Sequence, residues 1–320
     1  MSHGSTDHSA GAVRAARPRK PPVDVWRPHA VLDETERRPG GGHARCRTVF
    51  AAGAECPFSC VFCDLWRYTS DAATPPGAIP RQLQQALAGA VEAGIDTVKL
   101  YNASNFFEPR AVPTEDHAAI AAAAAPFGRL IVESHPRLVD ARRAARFAAR
   151  LTGTLEIAMG LETVHPVALP RLGKQITVET FARAAAGCVQ HGIAVRAFVL
   201  IGAPFVPHHE DLIWVQRSVH CALDAGATHV TLIPVRSSPG AMTTLAVAGD
   251  FAAPTLRHVE AAFEAALALQ DQRNVVSIDV WDLEQHAHCR HCGAARIARL
   301  RQMEALGHSL PPVDCEACTP

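Results

Sequence analysis

The sequence lacks any long apolar run and any excess of charge of one sign. No stretch of about eighteen apolar residues occurs, so no segment is predicted to cross a membrane. The first 20 residues lack the continuous apolar stretch of a secretory signal, and we therefore expect a soluble, cytoplasmic protein. Because 31 basic side chains balance 31 acidic ones, the chain has no global electrostatic signature of nucleic-acid binding, although a local basic face is left open.

The composition is that of a folded protein that uses its cysteines for chemistry. Across 320 residues, 48% are hydrophobic and 19% are charged, which excludes disorder throughout and suits one large domain with small appendages. The chain has ten cysteines but no export signal, and cytosolic thiols are kept reduced. The cysteines therefore indicate metal binding or catalysis rather than a disulfide framework.

The domain prediction has three parts: a disordered N-terminal arm over 1–45, a core over 46–274 and a C-terminal extension over 275–320. The arm is rich in Pro, Gly, Arg and Ser, without apolar periodicity. In the core, short apolar runs alternate with longer helical patterns, which predicts βαβ units and a parallel sheet. The predicted strands are Thr48–Ala52, Thr97–Tyr101, Leu130–Glu133, Thr154–Met159, Ala194–Ile201 and His229–Pro234. Six strands are fewer than a closed eight-stranded barrel needs, so we expect an incomplete barrel or an open sheet, with chemistry at the carboxyl ends of the strands.

Three closely spaced cysteines follow the first predicted strand. Cys56, Cys60 and Cys63 lie in one loop, where three thiolates can converge on a [4Fe–4S] cluster and leave one of its four irons open. The alternatives are a zinc site or incidental buried thiols. A structural zinc ion normally has four protein ligands, and this loop offers three.

This CxxxCxxC loop, with Phe62 before its last cysteine, resembles the signature of the radical S-adenosylmethionine (radical SAM) enzymes. In that family SAM binds the open iron, and its reductive cleavage gives a 5′-deoxyadenosyl radical that abstracts hydrogen from a substrate. The resemblance implies an incomplete parallel (β/α)6 TIM-like barrel and a reductant such as ferredoxin or flavodoxin. It also implies that Cys56, Cys60 and Cys63 are the cluster ligands and that Phe62 packs against the cluster or the adenine.

The segment Gly160-Leu161-Glu162-Thr163 and the Lys-containing turn after it are similar to those of the Elongator catalytic subunit and, more closely, of the radical SAM subunit of archaeosine synthase. The similarity spans roughly residues 46–245. It implies that Glu162 lies near the SAM methionine or ribose, with Glu133 or Ser134 beside it. A carboxylate at a helix start is the alternative for Glu162. The relatives suggest a tRNA base or a nucleoside-like substrate, and a small metabolite is the competing class.

Further SAM contacts are implied at other strand ends. Asn102 and Ser104 stand where the family has a Gly-Gly-Glu-like turn that binds the SAM amino group, although such residues also suit an ordinary turn. Gly202 resembles the turn that meets the adenine. Arg196 interrupts an apolar run, so it either pairs with a carboxylate, Glu133 or Glu162, or contacts the SAM carboxylate, which we favour slightly.

The last cysteines form two CxxC pairs. Two such pairs, brought together by a predicted helix at about 294–305, provide four thiolates for zinc or for an auxiliary iron–sulfur cluster, and the spacing does not separate the two. The four cysteines are Cys289, Cys292, Cys315 and Cys318.

The sequence thus predicts a radical SAM enzyme of unknown substrate, with a non-catalytic metal-binding or RNA-binding scaffold as the rival. A tRNA substrate requires the arginines of 137–150 and 294–301 to form one basic face beside the barrel mouth, whereas scattered charges favour a small molecule.

Overall fold

The computed structural model describes residues 9–101 and 104–318, in which one sheet has its strands in chain order. Strands β2 to β8 run parallel, and β1 pairs antiparallel with β2. The eight strands are β1 (Ala30–Arg37), β2 (His43–Phe50), β3 (Thr97–Tyr101), β4 (Arg129–Glu133), β5 (Thr154–Glu162), β6 (Ala194–Ile201), β7 (His229–Pro234) and β8 (Val275–Ile278).

Ten α-helices are described, and all but the first and the last of them connect parallel strands. They are α1 (Ala10–Ala15), α2 (Ala78–Ala86), α3 (His117–Ala124), α4 (Ala141–Ala148), α5 (Ala168–Arg171), α6 (Val178–Gln190), α7 (Asp211–Asp224), α8 (Ala241–Ala248), α9 (Leu256–Leu267) and α10 (Gly293–Leu306). None of the described helices is long and apolar enough to cross a membrane.

Side-chain alternation divides each strand between two environments. On β6, Val195, Ala197 and Val199 join the main core under the helices, whereas Arg196 and Phe198 point to the opposite, inner face. The sheet curls so far that Arg196 of β6 bonds Glu36 of β1, although four strands lie between β6 and β1 in the sheet. The prediction of an α/β fold with an incomplete TIM-like barrel is thereby confirmed.

The prediction of a disordered N-terminal arm is wrong for the described residues 9–45. This stretch contains α1, the whole of β1 and the start of β2. Gly40, Gly41 and Gly42 all have positive φ and form the tight hairpin turn between the two strands, where the sequence suggested a flexible link. Strand β1 escaped detection because most of its residues are exposed or half-buried and it lacks apolar alternation.

The sequence predicts six parallel strands, and the described part of the chain has seven. The run that was assigned to the C-terminal extension forms β8, which pairs in parallel with β7 along its whole length. The boundary predicted at residue 275 therefore coincides with the first residue of a sheet strand. Strand β2 also begins earlier than predicted, at His43.

The amino half of the barrel interior is filled by paired charges. Arg196 Nε lies 2.6 Å from Glu156 Oε1, and its Nη1 lies 2.9 Å from Glu36 Oε1. Lys99 pairs with Glu36 and, at 2.7 Å, with Glu34. Burial would raise the pKa of Glu36, but Arg196 and Lys99 hold it well below its usual value. A buried carboxylate that stays charged requires such partners.

We expect Glu36→Ala to lower the free energy of unfolding by about 3–5 kcal/mol, because the change leaves Arg196 and Lys99 buried without a shared counter-charge. Asp33→Ala on the same strand removes the partner of Arg47 at the surface and should cost about 1 kcal/mol or less. Urea unfolding monitored by circular dichroism measures both. Equal losses would show that the interior pairing does not stabilise the barrel.

Candidate cluster and metal sites

The cysteine loop begins directly beyond the carboxyl end of β2. Its base is closed by backbone hydrogen bonds that Ser70 makes with Gly53 and Glu55. Burial raises the pKa values of Cys56 and Cys63, and it raises that of Cys60 to about 12. Thiolates form here only with compensating positive charge, which iron ions supply. The donor set therefore fits the cluster that the sequence predicts.

Residues beyond β3 and β4 hold the cysteine loop in place. Asn105 Nδ2 donates to Cys56 Sγ at 3.1 Å, while its Oδ1 accepts from the backbone N–H of His135 at 2.7 Å. The His135 ring stacks on Phe58 of the loop, with 3.7 Å between ring centroids. His135 Nε2 lies 2.9 Å from the carbonyl oxygen of Lys174, and burial lowers the histidine pKa to about 3. A neutral ring that donates through Nε2 accounts for this contact.

Glu162 and Lys174 form a buried ion pair beside the cysteines. Lys174 Nζ lies 2.8 Å from Glu162 Oε1, and its charge acts on both Cys60 and Cys56. Glu162 has φ of 67°, a conformation that costs a non-glycine residue energy. A Cβ on Gly160 would lie 1.9 Å from Glu162 Oε1, so any other residue there would displace the carboxylate and its ion pair. Glu162 thus lies near the predicted cluster, and the sequence assigned no role to Lys174.

Two buried hydroxyl groups lie near the same loops. Ser104 Oγ and Ser134 Oγ have no hydrogen-bond partner among the described residues. A buried hydroxyl without a partner is costly, so both fit a place beside a polar ligand. Asn102, the other predicted contact in this turn, lies outside the described residues. Glu133 ends β4 and is half-buried.

Gly202 and Phe62 have structural roles in this chain. Gly202 directly follows β6 and has φ of 71°, and its N–H donates to Asp211 Oδ2 at 2.9 Å. A Cβ at this position would lie 2.9 Å from Pro254, so the turn requires glycine for packing. Phe62 packs, half-buried, against an apolar cluster at the ends of β6 and β7. Their predicted contacts with the cluster or the adenine stay predictions.

The expected contact of Arg196 with the SAM carboxylate is corrected by the structure. Arg196 is 2% exposed and pairs with Glu156 and Glu36, rather than with Glu133 or Glu162. It is the third residue of β6, close to the amino end of the strand, whereas the cysteine loop follows a carboxyl end. The sequence predicted that this arginine needs a carboxylate, but it assigned the wrong one, because Glu36 belongs to a strand that was not recognised.

The N-terminal segment lies across the cysteine loop. Arg14 Nε donates to Ser59 Oγ at 2.9 Å, and Arg17 Nη1 pairs with Glu55 Oε1 at 2.7 Å. Val13 is 4% exposed and packs in the apolar cluster that also contains Val61 of the loop. The segment therefore covers one side of the loop. No sequence pattern indicates this docking, because the residues that the segment contacts lie about 40 positions away along the chain.

We expect Asn105→Ala to make the midpoint potential of the reconstituted cluster more negative by about 40 mV. A donor to a cluster sulfur stabilises the more negative, reduced state, and about 1 kcal/mol corresponds to that shift for one electron. A potentiometric titration without SAM, followed by electron paramagnetic resonance, measures it. Ser104→Ala, which removes no bond to sulfur, is the control. An unchanged potential in the Asn105 variant would contradict this role.

The four cysteines of the C-terminal tail converge on one point. Their sulfurs all lie within 4.8 Å of one another, with 3.9 Å between Cys289 and Cys315 and 3.6 Å between Cys292 and Cys318. Four sulfurs about 2.3 Å from one tetrahedral ion lie about 3.8 Å apart. A [4Fe–4S] cluster binds each thiolate on a separate iron and needs a wider arrangement. The geometry therefore fits a single ion such as Zn²⁺.

The surroundings of the tail suit a negatively charged thiolate site. Arg296 Nε donates to Cys292 Sγ at 3.2 Å, and the same guanidinium pairs with Glu260 of α9. Arg257, also on α9, donates to the carbonyl oxygen of Cys318 at 3.1 Å. Backbone N–H groups of Cys292 and His291 lower the pKa of Cys289 to about 6. These contacts join the cysteines of the tail to α9.

We expect protein purified with Zn²⁺ present, before any cluster reconstitution, to hold about one Zn²⁺ per chain in the tail. Cys292→Ser together with Cys318→Ser should abolish this zinc, and Cys188→Ser, which changes a buried cysteine of α6, should not. Elemental analysis by mass spectrometry gives the metal content. Iron and sulfide retained by the tail in a Cys56→Ala/Cys60→Ala/Cys63→Ala variant would instead support an auxiliary cluster.

The chain has distant sequence similarity to a known protein. No protein-family profile matches the chain. An uncharacterised protein, MJ0550 of Methanocaldococcus jannaschii, is 23% identical over 150 residues, which cover 46% of this chain and 41% of that protein.

Two solved structures are similar over most of the chain. The archaeal Elp3 of Methanocaldococcus infernus, lacking its N-terminus, superposes with a TM-score of 0.52 and 12% identity over 72% of this chain and 59% of that one. Methylornithine synthase (PylB) superposes with a TM-score of 0.50 and 14% identity, over 70% and 62% of the two chains. The chain therefore spans less than two thirds of these proteins. Both are radical SAM enzymes, so the present chain has the radical SAM fold, as the cysteine motif predicted.

Proposed function

We propose that the chain is a radical SAM enzyme that holds a [4Fe–4S] cluster through Cys56, Cys60 and Cys63. The observation that carries this proposal is the cysteine loop itself: three half-buried cysteines follow the carboxyl end of β2 in a radical SAM fold. A non-catalytic scaffold has no need of the strained Glu162–Lys174 pair beside these thiols. The pair therefore favours an enzyme.

The bound cluster and SAM would supply one-electron reduction and a 5′-deoxyadenosyl radical. The protein's own residues bind and orient them. Lys174 offers positive charge close to Cys56 and Cys60 and offsets the charge of the thiolates. Ser104 and Ser134 offer buried hydroxyls to the polar part of SAM. The N-terminal segment, through Arg14 and Arg17, keeps water from one side of the loop.

A small molecule is the substrate class that we propose, in preference to tRNA. Arg296 and Arg299 are buried and paired with Glu260 and Glu264, so they are not available to RNA. Arg301 pairs with Glu284 in the same region. The arginines of 294–301 therefore do not join the exposed arginines of 137–150 in one basic face, which a tRNA substrate requires. A nucleoside-like molecule or another small metabolite is consistent with these charges. A cytoplasmic location stays a prediction.

Anaerobic reconstitution tests the proposal. With dithionite and SAM, we expect the wild-type chain to form 5′-deoxyadenosine, measured by liquid chromatography and mass spectrometry. Cys60→Ala should abolish the product, because a cluster held by two thiolates loses its geometry. Cys221→Ala on α7 is the matched control and should retain the wild-type rate.

The absence of 5′-deoxyadenosine from a chain with full iron content and a normal [4Fe–4S] spectrum would contradict the proposal and favour the scaffold. Product that forms equally in the Cys60 variant would also contradict it, since the chemistry would then not depend on the loop.

A further inference from the structure

An arginine and an aspartate meet beyond the carboxyl ends of β7 and β8. Arg236 Nη2 donates to Asp279 Oδ2 at 2.7 Å and to the carbonyl oxygen of Trp281 at 3.0 Å. The Nε of Arg236 is buried and has no hydrogen-bond partner among the described residues. Oδ2 of Asp282 lies 3.7 Å from this nitrogen, which is too far for a hydrogen bond. Because a buried N–H without an acceptor is costly, the guanidinium group has room for one more acceptor.

The carboxylate of Asp279 is already engaged at both oxygens. Its Oδ2 accepts from Arg236, and its Oδ1 accepts from the backbone N–H of Trp281 at 2.9 Å. The side chain of Asp282 is 64% exposed, so water screens its charge. The pair therefore favours a ligand that brings an acceptor. Because Asp279 offsets the charge of Arg236, one negative charge suits this place better than the two charges of a phosphate monoester.

Four aromatic rings line the barrel interior next to this pair. The ring centroid of Trp281 lies 5.3 Å from that of Phe50. The centroid of Tyr101 lies 6.3 Å from that of Phe50 and 6.2 Å from that of Phe198. Phe50, Tyr101 and Phe198 form an apolar cluster that is separate from the main core under the helices. We call these four residues the aromatic row.

The aromatic row borders open space at the same end of the barrel as the cysteine loop. Phe50 is the last residue of β2, which leads directly into that loop. Phe50, Phe198 and Trp281 are only half-buried. On β7, Ile233 of the inner face is also half-buried, whereas its neighbour Leu232 is fully buried in the main core. The interior is therefore more open here than the packed face behind it, and the rings can contact a ligand.

We propose that Arg236 binds a carboxylate group of the substrate and that the aromatic row binds a flat, unsaturated ring of the same molecule, a proposal that rests on the proposed function. A guanidinium group presents its N–H groups in one plane, which matches a carboxylate. Aromatic side chains pack favourably against other flat rings. Both parts meet at Trp281, whose carbonyl oxygen accepts from Arg236 and whose ring begins the row. One small, ring-bearing carboxylic acid can therefore span them.

Ligand binding to the reconstituted full chain, with SAM present and no reductant, tests the proposal without turnover. The probes are benzoate, indole-3-carboxylate and naphthalene-2-carboxylate, each compared with its neutral carboxamide. Equilibrium dialysis gives the dissociation constants. We expect at least one acid to bind about tenfold more tightly than its amide, because a hydrogen bond between two charged groups is stronger than one to a neutral group. Cyclohexanecarboxylate, which lacks a flat ring, should bind more weakly than benzoate.

Three variants separate the roles of charge and ring. Arg236→Gln should remove the preference for the acid and leave the affinity for the amide unchanged, which also shows that the variant is folded. Phe198→Leu should weaken acid and amide alike, by about threefold, and keep the preference. The matched control is Arg47→Gln, because Arg47 also pairs with an aspartate, Asp33, at 2.7 Å but contacts α2 outside the barrel. This control should bind every probe as the wild type does.

Two results would overturn the proposal. One is a wild-type chain that prefers none of the three acids to its amide. The other is a preference for the acid that persists in Arg236→Gln. Failure of the proposed function gives a different result, which is binding of an acid that depends on Arg236 in a chain that forms no 5′-deoxyadenosine with dithionite. That result would remove the radical reaction and leave the carboxylate site in place.

Discussion

The pairing of charges inside the barrel is the interaction on which the rest of the structure depends. Arg196, which is 2% exposed, can remain charged only because carboxylates from β5 and β1 reach it, and one of them, Glu36, crosses the interior from the edge of the sheet. Lys99 of β3 shares Glu36. The contacts of Glu36 thus join β1 to β6 and to β3, neither of which neighbours β1 in the sheet. Together these charges fill the amino half of the barrel. The reactive groups are accordingly gathered in the loops at the carboxyl ends.

The two sets of cysteines differ in how the chain holds them. In the loop, the thiols lie in irregular backbone that Asn105 and His135 hold from beyond β3 and β4, and His135 is itself bonded to the backbone of Lys174. In the tail, four sulfurs gather within 4.8 Å, and in the described part of the chain only this group does so. The loop thus offers three ligands in a site shared with other polar groups, whereas the tail offers a closed, four-ligand site of the kind that proteins use to stabilise structure.

Much of the sheet could be predicted because its strands are apolar and have clear boundaries. Thr97–Tyr101, Ala194–Ile201 and His229–Pro234 agree with the structure to the residue. The cysteines of the candidate site were recognisable from spacing alone. Strand β1 was not, because most of its residues are exposed or half-buried and no apolar alternation reveals it. Helix α1 was not, because its side chains contact residues about 40 positions further along the chain.

The sequence by itself determined the class of fold, the three-cysteine loop and the two CxxC pairs, since hydrophobic periodicity and ligand spacing are local properties. Only the tertiary structure decided which charges meet. It paired Arg196 with Glu36 and Glu156, brought Lys174 to the cysteines and placed the N-terminal segment over the loop. It also brought the tail sulfurs to the spacing of a single ion. Which charged groups pair depends on their distance in space and on their burial, and the spacing of residues along the chain determines neither.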